Sequence, residues 1–351
     1  MGFNWFRLVL TIEKRIVEAR LRCPRLSLLL LLLVNPVNLF LLFPRFILRK
    51  VLGANRMQNV AYRRVLKYYG LTYLILKFRL PRQKNLIKKR NYDMLIVLDA
   101  CRYDYFKFAL QRFFVGELQD SLVSFFPVLS AGTETDEWLE NVFGDGAWKN
   151  FVYVSGNPFV SMSFGKYSPK IFYSIVPVWK YGFDEELNTV PPNKVLNAWL
   201  SATFKMPNKN YIIHFLQPHF PTIDKHYRIR SSEPDEIIKL VRSGVKSRAW
   251  IRKSYLANLI HVLQWVVKTI KIAKLIGIRK IIVTSDHGDL VELGGHPYGT
   301  YVTDLCIVPW VEINLEKLKL RPDERKAFEQ LILLQARLAR IRESLKRKSS
   351  S

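Results

Sequence analysis

Four short runs of apolar residues, each ending in polar or turn residues, mark the central part of the chain. They are MLIVLDA at 94–100, FVYVSG at 151–156, YIIHFLQPH at 211–219 and KIIVTSDHG at 280–288. Continuous apolar runs of this length are typical of strands buried on both faces of a parallel sheet. Between the last two runs, residues 254–277 form a long apolar segment that closes at Gly277, which predicts a helix.

This alternation of strands and helices predicts an α/β domain with a mainly parallel central sheet flanked by helices. We expect the domain to cover residues 92–320. After it, residues 321–351 contain FEQLILLQARLARIRESL, whose spacing predicts a basic amphipathic C-terminal helix and tail.

The first 91 residues have a different pattern. Residues 26–44 carry no charge, and this length matches the roughly 17–25 residues of a spanning helix, although Pro36 interrupts the helical hydrogen bonds. A basic amphipathic segment precedes them. We predict an N-terminal hydrophobic membrane-anchor region over 1–50, either spanning the bilayer or lying in its interface, with a buried, kinked helix as the alternative. Residues 51–91 are predicted to be a basic helical connector.

The net charge of +26 implies attraction to anionic lipid, nucleic acid or a phosphorylated substrate. The basic residues are spread over the connector and the tail without a nucleic-acid-binding motif, so a nucleic-acid partner is not expected. Basic residues flank the apolar segment almost equally, which leaves the membrane orientation open. The positive charge and the lack of glycosylation sequons favour a catalytic domain on the cytoplasmic face of a membrane.

Polar side chains occur where the predicted strands end, and ligands of open α/β sheets collect at that edge. Each residue alone has an ordinary explanation, as a core histidine or a helix cap. Their convergence on one edge predicts a site for one or two divalent ions, with zinc or manganese preferred. The residues are Asp99, His214, His219, Asp286, His287 and His296.

The segment SAGTETDEW at 130–138 supplies hydroxyl groups next to a predicted helix start. A hydroxyl at such a position near a cation is activated as a nucleophile, and the N–H groups of the helix start bind phosphoryl oxygens. Thr133 is the first candidate, with Thr135 and Ser130 as alternatives. The same sequence is also a good helix N-cap, and only the nearby metal-binding residues favour the catalytic interpretation.

Four segments in this order, IVLDACRYDYF, SAGTETDEWL, HFLQPHFP and VTSDHGD…GGHPYG, resemble motifs of the alkaline phosphatase superfamily. The resemblance is closest to its sulfatase-like, lipid-phosphotransferase branch and to archaeal relatives, and it covers about residues 92–312. It implies that Asp99, Asp286 and His287 bind one ion, to which the nucleophile Thr133 also binds.

The resemblance also gives roles to the remaining polar residues. His219 and His296 match histidines that bind the substrate phosphate or a second metal, and either could protonate the leaving group. His214 and Asp224 support that second position, and Arg102 contacts an anionic substrate.

The function implied is a metal-dependent phosphoester or phosphodiester hydrolase, or a phosphotransferase, acting on a phosphorylated and possibly lipid-linked substrate at an anionic membrane surface. The chain departs from sulfatases in lacking the Cys/Ser-x-Pro-x-Arg pattern that is converted to formylglycine. Hydrolysis of sulfuric esters is therefore an alternative. A catalytically inactive basic module that binds membranes or polyanions is the other.

Overall fold

The computed structural model describes residues 68–144, 146, 148–164, 171–293, 295–296 and 299–350. The predicted anchor over 1–50 and the beginning of the predicted connector lie outside the described residues. Within the described ranges, none of the helices combines the length and apolar character needed to cross a bilayer.

A seven-stranded sheet forms the centre of the molecule. Its spatial order is β3 (Leu122–Leu129), β9 (Ile307–Asn314), β7 (Lys280–Ser285), β2 (Met94–Asp99), β6 (Asn210–Pro218), β4 (Trp148–Ser155) and β5 (Phe172–Pro177). The strands from β7 to β5 run parallel, and β9 is antiparallel to both of its neighbours. This confirms the mainly parallel sheet. A separate two-stranded pair joins β1 (Tyr68–Tyr69) to β8 (Thr300–Tyr301).

Helices cover both faces of the sheet. One face carries α3 (Tyr103–Glu117), α7 (Pro192–Lys205), α9 (Arg248–Leu275) and α11 (Pro322–Ser350). The other carries α2 (Gln83–Lys88), α4 (Thr135–Phe143) and α5 (Pro158–Phe164). The remaining helices are α1 (Leu71–Leu76), α6 (Trp179–Gly182), α8 (Pro234–Arg242) and α10 (Thr303–Cys306), with 3-10 turns at Gln119–Ser121, Val291–Leu293 and Leu315–Lys317.

Strand β2 shows why these apolar runs are continuous. Met94, Ile96 and Leu98 pack into the core on one face of the sheet, whereas Leu95 and Val97 pack into the core on the other. Successive side chains of a strand point to opposite faces, so a strand covered on both sides needs an apolar residue at every position. A polar side chain that can take part in a binding or catalytic site therefore first occurs where such a strand ends.

The four predicted strands are present, whereas β3, β5 and β9 were missed. β3 and β9 carry Pro127 and Pro309, which weaken a strand prediction, although the two residues pair directly across the antiparallel ladder. The long predicted helix begins earlier than expected, at Arg248, because the Ser247 side chain accepts a hydrogen bond from the Trp250 N–H (3.1 Å) and caps it.

The central strand β6 gives a direct test of this core. Ile213 is fully buried, so Ile213→Ala should lower the free energy of unfolding by about 2–5 kcal/mol. Val123→Ala on β3, where the side chain is 58% exposed, is the matched control and should stay within about 0.5 kcal/mol. Urea unfolding of both variants measures the difference, and equal effects would contradict the assignment of β6 to the centre of the core.

Candidate metal centre and active site

Two carboxylates and one imidazole meet at the carboxyl ends of the paired strands β2 and β7. Asp99 is the last residue of β2, and Asp286 and His287 directly follow β7. One ligand atom from each lies within 4.8 Å of the others, and all three side chains are buried. These three residues, which the strand-end pattern of the sequence predicts at one edge of the sheet, thus lie close together.

The Asp286 carboxylate is fixed by the backbone around it. Its Oδ1 accepts hydrogen bonds from the Ala100 N–H (3.0 Å) and the His287 N–H (2.8 Å). Ala100 has a positive φ of 58°, which is uncommon for a residue with a side chain and is often retained at functional sites. The Tyr255 hydroxyl holds the Ala100 carbonyl (2.6 Å). These contacts leave Oδ2 of Asp286 to face the cluster.

The His287 ring is oriented in the same way as a metal-binding imidazole. Its Nδ1 lies 2.7 Å from the Gly288 carbonyl and must donate its hydrogen there, so the Nε2 lone pair is available. Nε2 lies 3.4 Å from Asp286 Oδ2 and 3.8 Å from Asp99 Oδ1. A Cβ at Gly288 would lie 2.0 Å from the Asp304 carbonyl oxygen, so only glycine fits at this turn.

The electrostatics of the cluster favour a cation. Burial, together with the neighbouring Asp286 carboxylate, raises the pKa of Asp99 well above its usual range. Burial also acts to raise the pKa of Asp286, but His287, His214 and hydrogen bonds outweigh it and hold that pKa below the ordinary value. The Asp286 carboxylate is thus favoured in its ionised form, and the Asp99 carboxyl beside it resists ionisation. A bound cation would remove this conflict.

Thr135 is the hydroxyl that reaches this cluster. Its Oγ1 donates a hydrogen bond to Asp286 Oδ2 (2.8 Å) and lies 3.5 Å from His287 Nε2. It is the first residue of α4, at the end of the helix where Asp136 and Glu137 add acidic groups to the first turn. The hydroxyl, the carboxylate and the imidazole are therefore already in mutual contact.

Thr133 and Ser130 have structural contacts instead. The Thr133 hydroxyl donates to Glu137 Oε2 (3.1 Å) and accepts from the Gly299 N–H (2.8 Å). Its backbone N–H also donates to Glu137 Oε2 (3.0 Å), so a side chain of the first turn of α4 holds Thr133 one residue before the N-cap, Glu134. The Ser130 hydroxyl donates to the Asp286 carbonyl and so tethers the loop to β7.

Asn157 is a site residue that the sequence analysis missed. Its Nδ2 donates to Asp99 Oδ2 (2.5 Å) and to Thr135 Oγ1 (3.2 Å), and its Oδ1 accepts from the Phe159 N–H (2.8 Å). It follows the carboxyl end of β4, so the strand-end rule would have found it. The sequence analysis considered only acids and histidines as ligands at the strand ends, and therefore missed this amide.

Two histidines, His219 and His296, lie beside the acidic cluster. The His219 and His296 Nε2 atoms lie 2.9 Å apart, and the His296 ring lies 4.2 Å from the His287 ring between centroids. His219 Nδ1 contacts the Phe220 carbonyl (2.5 Å), so its Nε2 is the acceptor and His296 supplies the shared hydrogen. Burial lowers the pKa of both rings, most strongly for His296.

His214 lies beneath the cluster, within β6. Its Nδ1 is 3.1 Å from the Tyr153 hydroxyl, and its Nε2 is 3.7 Å from Asp286 Oδ2 and 3.9 Å from Asp99 Oδ2. Burial lowers the pKa of His214 to about 4, against the opposing effect of Asp286. The ring is thus neutral at pH 7.

Arg102 and Asp224 are engaged elsewhere. The Arg102 guanidinium makes two hydrogen bonds to Asp104 (2.9 and 2.7 Å) and one to Asp304 (2.7 Å). Asp224 Oδ1 accepts the backbone N–H groups of His226 and Tyr227 in a turn. The suggested roles of Arg102 and Asp224 toward the substrate remain predictions.

No protein-family model matches the sequence, and a comparison with curated proteins gives no match. Among solved structures, the chain is similar to the soluble domain of lipooligosaccharide phosphoethanolamine transferase A from Neisseria meningitidis, with 16% identity and a TM-score of 0.48 over 63% of this chain and 75% of that chain. It is also similar to the integral membrane protein of that name, with 15% identity and a TM-score of 0.49 over 69% of this chain and 50% of that one.

A third match is the phosphonate monoester hydrolase of Agrobacterium radiobacter, with 11% identity and a TM-score of 0.40 over 64% of this chain and 68% of that chain. The chain spans only half the length of the integral membrane transferase. At such identities and TM-scores, function has to be inferred from the residues of the site itself.

The buried Asp289 makes the free energy of unfolding depend on pH. Burial raises its pKa to about 7, against the opposing effects of Arg102 and the Leu290 N–H. The folded chain then holds this proton more tightly than the unfolded chain, so the stabilising contribution is lost as the pH rises through about 7. Asp289→Asn cannot titrate there, so its free energy of unfolding relative to the wild type should increase between about pH 4 and 7. Urea unfolding of the metal-free proteins checks this, and a constant difference would contradict it.

Proposed function

We propose that the chain is a metal-dependent phosphoryl-transfer enzyme that uses Thr135 as its nucleophile. The observation that carries this proposal is the contact between the Thr135 hydroxyl and Asp286 within the buried Asp99–Asp286–His287 group. A capping role does not explain the contact, because Thr135 is already the first residue of the helix and the N-cap position belongs to Glu134. The structural arrangement thus favours the second of the three hydroxyl candidates.

The residues present fit a divalent cation. Asp99, Asp286 and His287 offer two carboxylate oxygens and one oriented imidazole nitrogen, and the Thr135 oxygen lies beside them. Such mixed oxygen and nitrogen donors suit zinc or manganese. When bound, this ion would lower the pKa of the threonine hydroxyl and stabilise negative charge on phosphoryl oxygens.

The other residues position the reacting groups. Asn157 Nδ2 contacts both the Thr135 oxygen and the Asp99 carboxylate, so the nucleophile is oriented before the substrate arrives. Asp286 Oδ2 is the hydrogen-bond acceptor of the hydroxyl proton that Thr135 must lose. The start of α4 directs backbone N–H groups toward the phosphoryl oxygens.

In the proposed reaction, a bond forms between Thr135 Oγ1 and phosphorus while the bond from phosphorus to the leaving oxygen breaks. The His219–His296 pair is neutral when buried without substrate, and an anionic phosphoryl group beside it favours the protonated form. The pair can then protonate the leaving oxygen. The phosphothreonine passes its phosphoryl group to water or to an acceptor alcohol.

Sulfuric ester hydrolysis is the less favoured chemistry for this site. The hydroxyl at the centre belongs to an unmodified threonine, and the two described cysteines, Cys101 and Cys306, are buried free thiols. An inactive binding module is also disfavoured, because carboxylates, imidazole, amide and hydroxyl are all in contact distance.

The assignment of the nucleophile can be tested in the full chain after metal removal. Thr135→Ala should lower metal-restored turnover of a phosphodiester or phosphomonoester reporter by about 10³-fold or more. Thr135→Ser, which keeps a hydroxyl, should retain measurable turnover. Mass spectrometry of the acid-quenched wild type should find phosphate on residue 135.

Thr133→Ala is the matched control in the same loop. It should lose about 1–3 kcal/mol of stability, because the buried Gly299 N–H and the Glu137 carboxylate lose their partner, but it should keep most of its turnover. Turnover lost in Thr133→Ala and kept in Thr135→Ala would return the role to Thr133. Absence of turnover with any divalent metal, and of metal binding, would sink the enzyme proposal and favour the binding module.

We further propose that α11 contacts an anionic membrane surface, which would bring a lipid-linked substrate to the site. Phe328, Leu331 and Ile332 pack against the domain, and Ala339 is buried. On the outer face, Leu334 and Ile341 are each 53% exposed, and the basic residues of this helix lie between and beside its apolar positions. An exposed apolar stripe flanked by cations matches the interface of anionic lipids.

A polarity-sensitive fluorophore on α11 would detect membrane contact by this helix separately from any membrane contact by the N-terminal segment. Attached at Ser344→Cys in a Cys23→Ser chain, it should shift to the blue with phosphatidylglycerol vesicles, and less at high salt. Vesicles of phosphatidylcholine are the control. The double variant Leu334→Asp, Leu338→Asp should remove the shift, and a shift that survives in this variant would contradict the role of α11.

A further inference from the structure

The His214 ring is a buried polar group with half of its hydrogen-bonding capacity unused. It lies at the centre of β6, between Val97 of β2 and Ser155 of β4, and it is fully buried. Its Nδ1 is 3.1 Å from the Tyr153 hydroxyl. Its Nε2 is buried without a hydrogen-bond partner, an arrangement that costs free energy unless something else meets that nitrogen.

The distances from His214 Nε2 to its neighbours indicate which kind of partner this nitrogen could have. It lies 3.7 Å from Asp286 Oδ2 and 3.9 Å from Asp99 Oδ2, which is too long for hydrogen bonds. Two atoms that bind one ion at about 2.0–2.2 Å are separated by roughly 3–4 Å. His287 Nε2 is 3.4 Å from the same Asp286 oxygen and 3.8 Å from the other oxygen of Asp99. The Nε2 atoms of both imidazoles therefore lie 3.4–3.9 Å from oxygens of both carboxylates.

Tyr153 can select the tautomer that this position requires. When Nδ1 donates its hydrogen to the Tyr153 oxygen, Nε2 presents a lone pair to the carboxylates. The Gly288 carbonyl does the same for His287. Trp138 packs against the His214 ring at 6.2 Å between centroids and limits its rotation. Both rings are thus fixed from the side away from the cluster.

We propose that His214 is a direct ligand of the ion held by Asp99, Asp286 and His287, and that Tyr153 is its positioning residue. This inference rests on the proposed metal-dependent function. It completes a donor set of two oxygens and two imidazole nitrogens, with the Thr135 hydroxyl beside it. A second imidazole favours zinc over manganese or magnesium, which prefer oxygen donors.

Metal binding to the full, metal-stripped chain tests the inference without relying on turnover. Zinc affinity is measured by competition with a chromophoric chelator, and the number of imidazole ligands by zinc-edge X-ray absorption. His214→Gln should weaken zinc binding by more than the roughly 10–100-fold that loss of an outer partner causes, and should remove one imidazole from the spectrum. The preference for zinc over manganese should fall with it.

Tyr153→Phe should weaken zinc binding by about 10–100-fold without changing the imidazole count. Tyr211→Phe is its matched control, because the Tyr211 hydroxyl also makes a hydrogen bond (2.7 Å, donated to the Met206 carbonyl) but lies at the start of β6, away from the carboxyl ends of the strands. Its zinc affinity should match that of the wild type. If His214→Gln does not fold, as judged by circular dichroism, Tyr153→Phe decides the outcome.

An unchanged imidazole count in folded His214→Gln would overturn the ligand assignment, whatever its affinity. Unchanged affinity in Tyr153→Phe would overturn the positioning role. A wild-type chain that binds no zinc or manganese would instead contradict the metal dependence of the proposed function, so the two failures are distinguishable.

Discussion

Two carboxylates buried side by side at the ends of adjacent parallel strands are the constraint on which the site depends. Asp99 and Asp286 are both almost fully buried, and water does not screen their mutual repulsion. The sheet imposes this proximity, because β2 and β7 pair in parallel register and end at the same edge. The protein accommodates it through protonation of Asp99, through hydrogen bonds to Asp286, or through a cation between them.

The surrounding structure is arranged to serve that pair. The left-handed backbone at Ala100 turns an N–H toward Asp286, and Ser285 ties the two strand ends together through the Leu98 carbonyl (2.6 Å) and the Cys101 N–H (2.8 Å). Helix α4 starts where its first residue, Thr135, meets the same carboxylate. Fold stability and site geometry therefore share the same hydrogen bonds, so changes to one affect the other.

The histidines divide into two groups by their relation to the carboxylates. The Nε2 atoms of His287 and His214 lie 3.4–3.9 Å from oxygens of both carboxylates, and each ring has its Nδ1 in contact with a fixed neighbour. His219 and His296 contact each other and lie next to His287 rather than next to the carboxylates. In the proposed function, the first group binds a cation and the second contacts the substrate. Burial lowers the pKa of His214, His219 and His296, which disfavours their protonated forms in the absence of charge nearby.

The sequence by itself determined four of the seven sheet strands, β2, β4, β6 and β7, and the presence of Asp99, Asp286 and His287 at one edge. A strand buried on both faces must be apolar throughout, so the polar residue that ends it is visible in the pattern. The sequence did not separate Thr133 from Thr135, because both stand beside the same helix start. Only the tertiary structure distinguishes their contacts: the Thr133 hydroxyl contacts Glu137 and the Gly299 N–H, while the end of β7 brings Asp286 to Thr135. Contacts between residues far apart in the chain leave no periodic signal, and the choice of hydroxyl depended on such contacts.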